Sequence, residues 1–599
     1  MSVVGFDFGT TNSLISVVVG GRAVNFLDDE GMPVPSVVSY EGGRTVVGKE
    51  AKQKLAGAGL GVVGSTVRSA KLLLGKESVF VDGVERKPVE IVRDVVTHVV
   101  REASRGRRGK DLGPVKSAVV TIPVVMEGYR RAALRDAFRM AGIGIKQFVH
   151  EPLAALYAYL RSTGEIEEMC RRFDRQLLLV VDWGGGTLDV TLCRLADGMI
   201  FQLANDGSDQ LGGDLFDEAL RNAVVDRVLA RRGLSNTASV HPDAMTRLLH
   251  TCERTKIDLS TRDSAVVYLS SFFREGETDL EDKVTRTDLE RVVAPLLDQG
   301  IARIMGLLDR AGVAPVQIAQ CLAVGGMANM PAVKSRLHEI FGVQRVHISD
   351  RSASLIAEGA AWIASDNIRL HLAKEVELVL ARNSYLPLVR AGTAMPTEGD
   401  VCLEKFHLYC VDPGDGFAKF QLQAPVRPGA KVLQGDPRIP LCSLAVRVDS
   451  RARPFHERLE LDVQIDDNLI LRPRARSLEV GDMAEAEVHN LEFAISLPVL
   501  PPSKGKAEQE IVGAPAHGTP HQRGALTIRA NVADRQNRSL VPGEVMQRFD
   551  PTYFDVRHHP PEEQVMEKLY YEPCLGCGRA SSDPLCDCGV EGSPSRPTL

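Results

Sequence analysis

The sequence DFGTTN, residues 7–12, closes a short apolar run and is the stretch that decides the fold. A second stretch, DWGGGTLD at residues 182–189, closes another apolar run in the same way. In both, an aspartate at the end of a predicted strand is followed closely by glycine and threonine. Glycine lets the backbone of such a turn approach a phosphate, and the main-chain N–H groups and hydroxyls supply donors. Two such turns facing each other would grip a triphosphate, with Asp7 and Asp182 beside a hydrated Mg²⁺.

A third glycine-containing turn strengthens this interpretation. The run CLAV at residues 321–324 is predicted to be a buried strand, and Gly325 and Gly326 follow it directly. A single glycine-rich turn is common and would be weak evidence. Two aspartate-and-glycine turns with a downstream glycine pair, in this order, are much more specific and indicate a nucleotide site.

Residues 3–364 alternate short apolar runs with amphipathic segments, which is typical of an α/β domain. Buried strands are predicted over 3–8, 118–122 and 177–182. Helices are predicted over 129–141 and 152–160, the second with Pro152 in its first turn. No internal repeat is strong enough to use.

The pattern changes after residue 366. Short alternating runs separated by turn signals, such as those at 412–416 and 466–468, predict an antiparallel β domain. A polar segment rich in proline and glycine follows, and one more strand-like run lies at 525–532. The predicted domains are an α/β domain over 1–366, a linker over 367–380, a β domain over 381–500, a flexible linker over 501–524, and a strand with a cysteine-rich tail over 525–599.

Composition limits the class of protein without identifying it. Of the 599 residues, 44% are hydrophobic and 25% are charged, as in ordinary globular domains. The net charge of −6 argues against a dedicated nucleic-acid binder. The sequence has neither a basic, apolar leader nor an apolar run long enough to span a bilayer. We expect a cytoplasmic protein with no nucleic-acid or membrane partner.

Four of the 11 cysteines cluster near the end of the sequence, and the others are scattered singly. Scattered cysteines do not form a disulfide scaffold, so a reducing compartment is expected. The four clustered residues, Cys574, Cys577, Cys586 and Cys588, form a C-x-x-C…C-x-C set whose thiolates could surround Zn²⁺ tetrahedrally. The second pair is tightly spaced, so redox-active or incidental thiols are the alternatives.

Several separate segments, from residue 3 to about residue 364, resemble the seventy-kilodalton heat-shock chaperone family. They are VGFDFGTTNS (4–13), SAKLLLG (69–75), TIP (121–123) with Arg131, HEPLAA (150–155), LGGD (211–214) and CERTK (252–256). In the family, these segments carry the first phosphate turn, the catalytic lysine, a proline–arginine relay, an Asn-Glu-Pro motif, and contacts to ribose, phosphates and adenine. His150 replaces the asparagine of that motif here.

The resemblance implies a two-lobed, actin-like α/β ATPase domain followed by a mainly β, sandwich-like domain. It implies ATP or ADP as ligand, with Mg²⁺ held through water by Asp7 and Asp182. The residues implied in catalysis are Lys71, Glu151, Asp182, Thr187, Asp7 and Asp189. The residues implied in ATP binding are Gly9, Thr10, Thr11, Asn12, Gly184, Gly185, Gly186, Gly212, Gly213, Glu253, Lys256, Ser260, Gly325, Gly326 and Met327.

Two of these residues also have simpler interpretations. Lys71 would place its charge at the γ-phosphate and orient the attacking water. Outside the matched segment, the same lysine would be interpreted as a solvated surface residue. Glu151 would help to position the water, and a carboxylate at the start of a helix also suits the helix dipole.

Departures from the family surround the base and the sugar. Ile257 replaces an arginine, Met327 a serine, Asn329 an arginine, and Ala353 an aspartate. These changes spare the hydrolytic residues but remove contacts to adenosine. We therefore expect weaker nucleotide binding than is usual in the family.

The β half resembles the family's peptide-binding sandwich loosely, at 385–390, 395–397 and 466–471, and the family's linker faintly, at 370–376. Such a domain would hold extended peptides through main-chain hydrogen bonds and an apolar pocket. No long amphipathic helix is predicted after residue 501. The helical lid is therefore expected to be missing, and bound peptide to exchange quickly.

The resemblance implies an ATP-hydrolysing chaperone that assists protein folding and the stress response. Nucleotide state would control how the β domain holds unfolded or extended polypeptides. A J-domain-type co-chaperone and a nucleotide-exchange factor are the further partners implied. The alternative is a regulatory or adaptor ATPase of the same fold that recognises one folded partner. An actin-fold kinase for a sugar would not explain the large β region.

Overall fold

The structure is a computed structural model that describes residues 3–28, 30–54, 62–63, 65–105, 109–162, 166–196, 198–241, 244–274, 278–349, 351–380, 384–429, 432 and 435–498. The described residues divide into two units, one over 3–369 with 495–498 and one over 370–494. The cysteine cluster at 574–588, the predicted linker over 501–524, the predicted strand and tail, and the segment expected to lack a lid all lie outside the described residues.

The first half of unit one is built around a mixed sheet with the order β12-β11-β1-β2-β3. Strand β1 is antiparallel to β2 and parallel to β11, which is in turn parallel to β12. The elements are β1 (Val3–Phe8), β2 (Asn12–Val19), β3 (Arg22–Phe26), β4 (Val34–Pro35), β5 (Val37–Glu41), β6 (Arg44–Val47), α1 (Lys49–Lys54), β7 (Val62–Val63), β8 (Thr66–Arg68), a 3₁₀ turn (Ala70–Leu73), β9 (Val79–Val81), β10 (Val84–Arg86), α2 (Pro88–Arg105), α3 (Gly109–Leu112), β11 (Ser117–Ile122), α4 (Gly128–Met140), β12 (Gly144–His150) and α5 (Glu151–Ser162).

The second half of unit one repeats this topology in the order β19-β18-β13-β14-β15. Strand β13 is antiparallel to β14 and parallel to β18. The elements are α6 (Ile166–Phe173), β13 (Leu177–Trp183), β14 (Leu188–Ala196), β15 (Met199–Ser208), α7 (Gly213–Arg231), α8 (Ala244–Asp258), β16 (Ser264–Leu269), β17 (Leu280–Thr285), α9 (Arg286–Arg310), β18 (Ile318–Val324), α10 (Pro331–Phe341), β19 (Val346–Ile348), α11 (Leu355–Ser365), and 3₁₀ turns at Pro315–Gln317, Gly326–Asn329 and Val343–Arg345. Strands β1 and β13 therefore hold equivalent positions in the two sheets.

The predicted elements of this unit agree with the observed ones. Strands β1, β11 and β13 cover the three predicted strands, and α4 and α5 cover the two predicted helices, with ends that differ by one or two residues. The α/β class is confirmed. None of the helices in the described part of the chain is both long enough and apolar enough to span a bilayer.

Helix α11 packs directly on the backbone of β1 and of α5. A Cβ atom on Gly5 of β1 would lie 2.5 Å from the carbonyl oxygen of Ala357 in α11. A Cβ atom on Gly359 of α11 would lie 2.5 Å from the carbonyl carbon of Ala154 in α5. Glycine at these two positions is therefore what permits the close approach.

Unit two contains two antiparallel four-stranded sheets, with the orders β22-β21-β24-β25 and β23-β26-β27-β28. The strands of these sheets are β21 (Val376–Leu380), β22 (Ser384–Val389), β23 (Val401–Tyr409), β24 (Phe417–Pro425), β25 (Arg438–Arg447), β26 (Arg458–Asp466), β27 (Leu471–Ser477) and β28 (Met483–Glu485). Two further short strands, β20 (His371–Leu372) and β29 (Phe493–Ser496), pair with each other. The turn signals at 412–416 and 466–468 lie between strands, as predicted. The stretch predicted as a linker, 367–380, differs, since it contains β20 and β21.

Candidate active site

The turns that follow β1 and β13 lie against each other. A Cβ atom on Gly186 would lie 2.7 Å from Cγ2 of Thr10, and one on Gly185 would clash with the hydroxyl of Thr11. The hydroxyl of Thr11 is buried without a hydrogen-bond partner in the described structure. The two glycine turns are therefore close enough to share one ligand, and side chains larger than glycine would separate them.

A hydrogen bond to a main-chain carbonyl holds each turn. The amide of Gly184 donates to the carbonyl of Thr187 over 2.9 Å. In the first turn, the Ser36 hydroxyl donates to the carbonyl of Gly9 over 2.9 Å. Asn12, predicted as a ligand, begins β2 and has an exposed side chain. The turns are thus shaped mainly by backbone geometry.

The segment LGGD, at 211–214, lies against the second turn. The amide of Gly213 donates to the carbonyl of Gly184 over 3.1 Å, and the amide of Asp214 to that of Gly185 over 2.7 Å. A Cβ atom on Gly212 would lie 2.6 Å from the carbonyl carbon of Gly185. The structure therefore joins these two predicted ligand segments through their main chains.

The glycine pair after β18 also reaches this region. Gly325 has a φ of 83°, and a Cβ atom there would lie 2.7 Å from Oδ1 of Asp182. Gly326 has open space around it. Met327 is buried, and its sulfur lies 2.9 Å from the position of a Cβ atom on Gly213. All three glycine segments identified in the sequence therefore meet in one place.

Lys71 and Glu151 form a buried ion pair. Their Nζ and Oε1 atoms are 2.8 Å apart, and the two side chains are only 3% and 7% exposed. Lys71 lies in the 3₁₀ turn after β8, and Glu151 is the first residue of α5, where its charge suits the helix dipole. Lys71 is therefore not a solvated surface residue, and Glu151 has the helix-start position that its simpler interpretation requires.

Three aspartates share this environment, and all have raised pKa values. Burial, and then the charge of Glu151, raise the pKa of Asp7 to about 7. The same two causes raise the pKa of Asp189 to about 8. Burial, Glu151 and the neighbouring aspartates raise the pKa of Asp182 well above its usual value. Lys71 opposes all three shifts.

The hydrogen bonds within this cluster are incomplete. The Thr121 hydroxyl donates to Oδ1 of Asp7, and the Val124 amide donates to Oδ1 of Asp189, each over 2.9 Å. Oδ2 of Asp189 is buried without a partner in the described structure. Four carboxyl groups thus face one ammonium group and hold their protons more tightly than usual, and a bound cation would favour their ionised form. In the described residues, no three acidic, histidine or cysteine side chains are arranged to ligate a metal directly, so such an ion would need water or phosphate ligands.

The residues predicted to contact ribose and base lie on α8 or just after it. Nζ of Lys256 donates to the carbonyl of Gly213 and pairs with Asp217, both over 2.9 Å. This places Lys256 beside the segment LGGD. Glu253 pairs with Lys52 over 2.8 Å. Ser260 is more remote, and its hydroxyl bonds weakly to the carbonyl of Lys256, over 3.4 Å.

The sequence interpretation missed Arg68 and Lys52. The Arg68 guanidinium is 2.6 Å from Oδ1 of Asp214 and 3.9 Å from Oε2 of Glu253. Burial opposes the ionisation of Glu253, but a hydrogen bond from His250 and the charge of Lys52 hold its pKa well below the usual range. The only local signal for Arg68 was its position three residues before Lys71.

Comparison with known proteins agrees with this geometry. The sequence model of the family described as Hsp70 protein matches residues 3–108 and 77–367, more than half of the chain. The chain belongs to the Hsp70 family. Within that family, it is 32% identical over 349 residues to the chaperone protein DnaK of Cenarchaeum symbiosum (strain A), a match that covers 57% of this chain and 50% of the relative. This Hsp70 chain thus spans about half the length of the curated relative that it matches.

Proposed function

We propose that unit one binds ATP or ADP with Mg²⁺ between the Asp7 and Asp182 turns and hydrolyses ATP there. The observation that carries this proposal is the charge distribution beside the two touching turns, where four buried carboxylates share one buried ammonium group. Four buried carboxyl groups can ionise together only with more positive charge than one ammonium group supplies, and a divalent cation would add it. Membership of the Hsp70 family supports the proposal.

Each proposed role belongs to a side chain whose surroundings favour it. Lys71, held by Glu151, would present its ammonium group to the terminal phosphate and orient the attacking water. Glu151, Asp182 and Thr187 would align that water. Asp7 and Asp182 would hold the hydrated metal. When bound, Mg²⁺ supplies neutralisation of the charge that develops on the phosphate oxygens.

We also propose that nucleotide binding is weaker than is usual in the family. Ile257 is 59% exposed and offers no polar contact, while Asn329 donates to the hydroxyl of Ser352 over 3.1 Å. Lys256 and Glu253 already make internal ion pairs. Isothermal titration calorimetry with ATP checks this, and ordinary tight binding would contradict it.

For unit two, we propose a β-sandwich that holds extended polypeptide. An apolar recess within this unit is lined by strands β21, β23, β24 and β26, with Leu380, Leu408 and Phe420 among its side chains. Peptide binding by such a unit would combine main-chain hydrogen bonds with an apolar pocket. If the helical lid is missing, as the sequence predicts, bound peptide should dissociate quickly, and slow release from the ATP-free protein would contradict this proposal.

One observation favours the alternative, an adaptor ATPase that recognises a single folded partner. The family match ends at residue 367, so it does not extend over unit two. The family match therefore says less about what unit two binds than about the reaction of unit one. A chaperone must respond to many sequences, whereas an adaptor responds to one surface.

The deciding experiment is an ATPase assay with and without unstructured peptides. We expect hydrolysis by the wild type and a loss of about 100-fold or more in Lys71→Ala, because a transition-state charge contact is removed. General stimulation by unrelated peptides supports the chaperone, and stimulation by one protein alone supports the adaptor. Wild-type hydrolysis by Lys71→Ala would contradict the proposed site.

Three further proposals concern features that the described residues do not cover. Zinc binding by the four clustered cysteines is checked by metal analysis of the purified protein, and a metal-free protein would contradict it. A cytoplasmic location and a role in the stress response are checked by cell fractionation and by expression after heat shock. A J-domain protein would be identified by its acceleration of ATP hydrolysis, and a nucleotide-exchange factor by its acceleration of nucleotide release.

A further inference from the structure

The segment between β8 and Lys71 contains a strained residue. Ser69 has φ and ψ angles of 61° and 51°, in the left-handed region. It is buried, and its hydroxyl has no hydrogen-bond partner in the described structure. A residue with a β-carbon adopts this conformation at a cost in free energy, and it persists where the surroundings impose it. The contacts on either side of Ser69 are therefore expected to impose it.

On one side, Arg68 is tied to the segment LGGD at 211–214. Its side chain is 8% exposed, and its guanidinium pairs with Asp214 over 2.6 Å. The amide of Asp214 donates to the carbonyl of Gly185 over 2.7 Å. Arg68 is thus connected, through one side chain and one main-chain hydrogen bond, to the glycine turn that follows Asp182.

On the other side, Lys71 is fixed at both its side chain and its backbone. Its ammonium group pairs with Glu151 over 2.8 Å, and its carbonyl accepts a hydrogen bond from the guanidinium of Arg130 over 3.4 Å. The strained serine therefore lies between two buried anchors. One anchor belongs to the second phosphate turn, and the other to the predicted catalytic pair.

We propose that Arg68 is a positioning residue that sets the place of the Lys71 ammonium group relative to the turns. The inference rests on the proposed function, because it concerns the reaction assigned to Lys71. Arg68 acts through the backbone of Ser69 and does not itself touch the reacting atoms. Loss of the Arg68–Asp214 pair lets Ser69 relax to an ordinary conformation, which moves Lys71 away from its working position.

The test is single-turnover hydrolysis of Mg·ATP by the full chain, as wild type, Arg68→Met, Lys71→Ala and the double variant. A misplacement on the order of 1 Å lowers a rate by about 10- to 100-fold, so Arg68→Met is expected to lose that much. The dissociation constant of ATP is expected to change less than about threefold. In the Lys71→Ala background, Arg68→Met is expected to cause no further loss beyond about twofold, because both changes act through the same ammonium group. Additive losses would overturn the inference.

The matched control is Arg227→Met, which removes a guanidinium from the buried carboxylate of Asp282 over a similar 2.6 Å contact elsewhere in unit one. We expect it to keep the wild-type hydrolysis rate. If Arg68→Met does not fold, Asp214→Asn replaces it, since it removes the charge at almost constant volume and should lower the rate similarly. If either variant folds and hydrolyses ATP at the wild-type rate, the inference about Arg68 is wrong, while the proposed function is unaffected. An inactive wild type, or an active Lys71→Ala, would instead sink the proposed function.

Discussion

Gly212 lies against the turn that follows Asp182, and replacing it tests the spacing of the two main chains without changing any polar side chain. In Gly212→Ala, the new Cβ atom would lie 2.6 Å from the carbonyl carbon of Gly185. Carbon atoms in contact lie about 3.5 Å or more apart, so the two segments must separate by about 1 Å. Gly212 has φ and ψ angles of −128° and −178°, which alanine adopts without strain. The effect is therefore steric.

The magnitude follows from what this separation would disturb. Two main-chain hydrogen bonds join the segments, those from Gly213 to Gly184 and from Asp214 to Gly185. Overpacking of this kind costs about 1–3 kcal/mol in the free energy of unfolding. A displacement of about 1 Å at the phosphate turn should lower the ATP hydrolysis rate by on the order of 100-fold. Denaturant unfolding and a single-turnover ATPase assay measure the two quantities.

A control variant separates this effect from the general effect of replacing glycine. Gly306 lies inside helix α9, and a Cβ atom there would meet only the end of the flexible Arg310 side chain, at 3.4 Å. Gly306→Ala is therefore expected to raise the free energy of unfolding by about 0.5–1 kcal/mol and to leave hydrolysis unchanged. If Gly212→Ala behaves like Gly306→Ala in both assays, the argument from turn spacing is wrong.

Two further predictions concern buried charges. The folded state holds the Asp7 proton up to about pH 7, whereas an unfolded aspartate loses it near pH 4. The free energy of unfolding of the ligand-free protein should therefore fall as pH rises between these values. In Asp7→Asn, the free energy of unfolding measured in urea should depend less steeply on pH between pH 5 and 7. An equally steep dependence in the wild type and the variant would contradict this. In unit two, Lys374 is 3% exposed and pairs with Glu492 over 3.0 Å. Lys374→Met should cost about 3–5 kcal/mol because a buried carboxylate loses its partner, while Lys405→Met, at a half-exposed pair, should cost less than about 1 kcal/mol; similar costs in urea unfolding would refute the reasoning.

The sequence predicted those parts of the molecule that depend on short-range patterns. Strand β1, strand β13 and their aspartate-and-glycine turns could be identified because apolar runs and turn glycines are local signals. The resemblance to a known family then indicated Lys71 and Glu151, which are 80 residues apart and form one ion pair. Spacing alone could not have paired them.

The features that were missed depend on long-range partners. Arg68 and Asp214 are 146 residues apart, and no local sequence pattern predicts that they form a pair. The repeated sheet topology was also missed, because the two sheets share a strand order although their amino-acid sequences do not repeat. Strand β21 was assigned to a linker because residues 370–376 faintly resemble the family's linker. In the structure, Arg438 pairs with Glu377 of this strand at 3.1 Å and allows the glutamate to be buried.

The close packing of helix α11 on β1 has a consequence for the order of events during synthesis. Gly5 leaves the ribosome before its partner in α11, Ala357, which follows roughly 350 residues later. At about 5–20 residues per second, that interval lasts on the order of tens of seconds. During this period, the face of the first sheet that packs against α11 is not covered by that helix. A nascent chain paused before residue 355 should therefore expose β1 to proteases that cannot reach it in the finished protein.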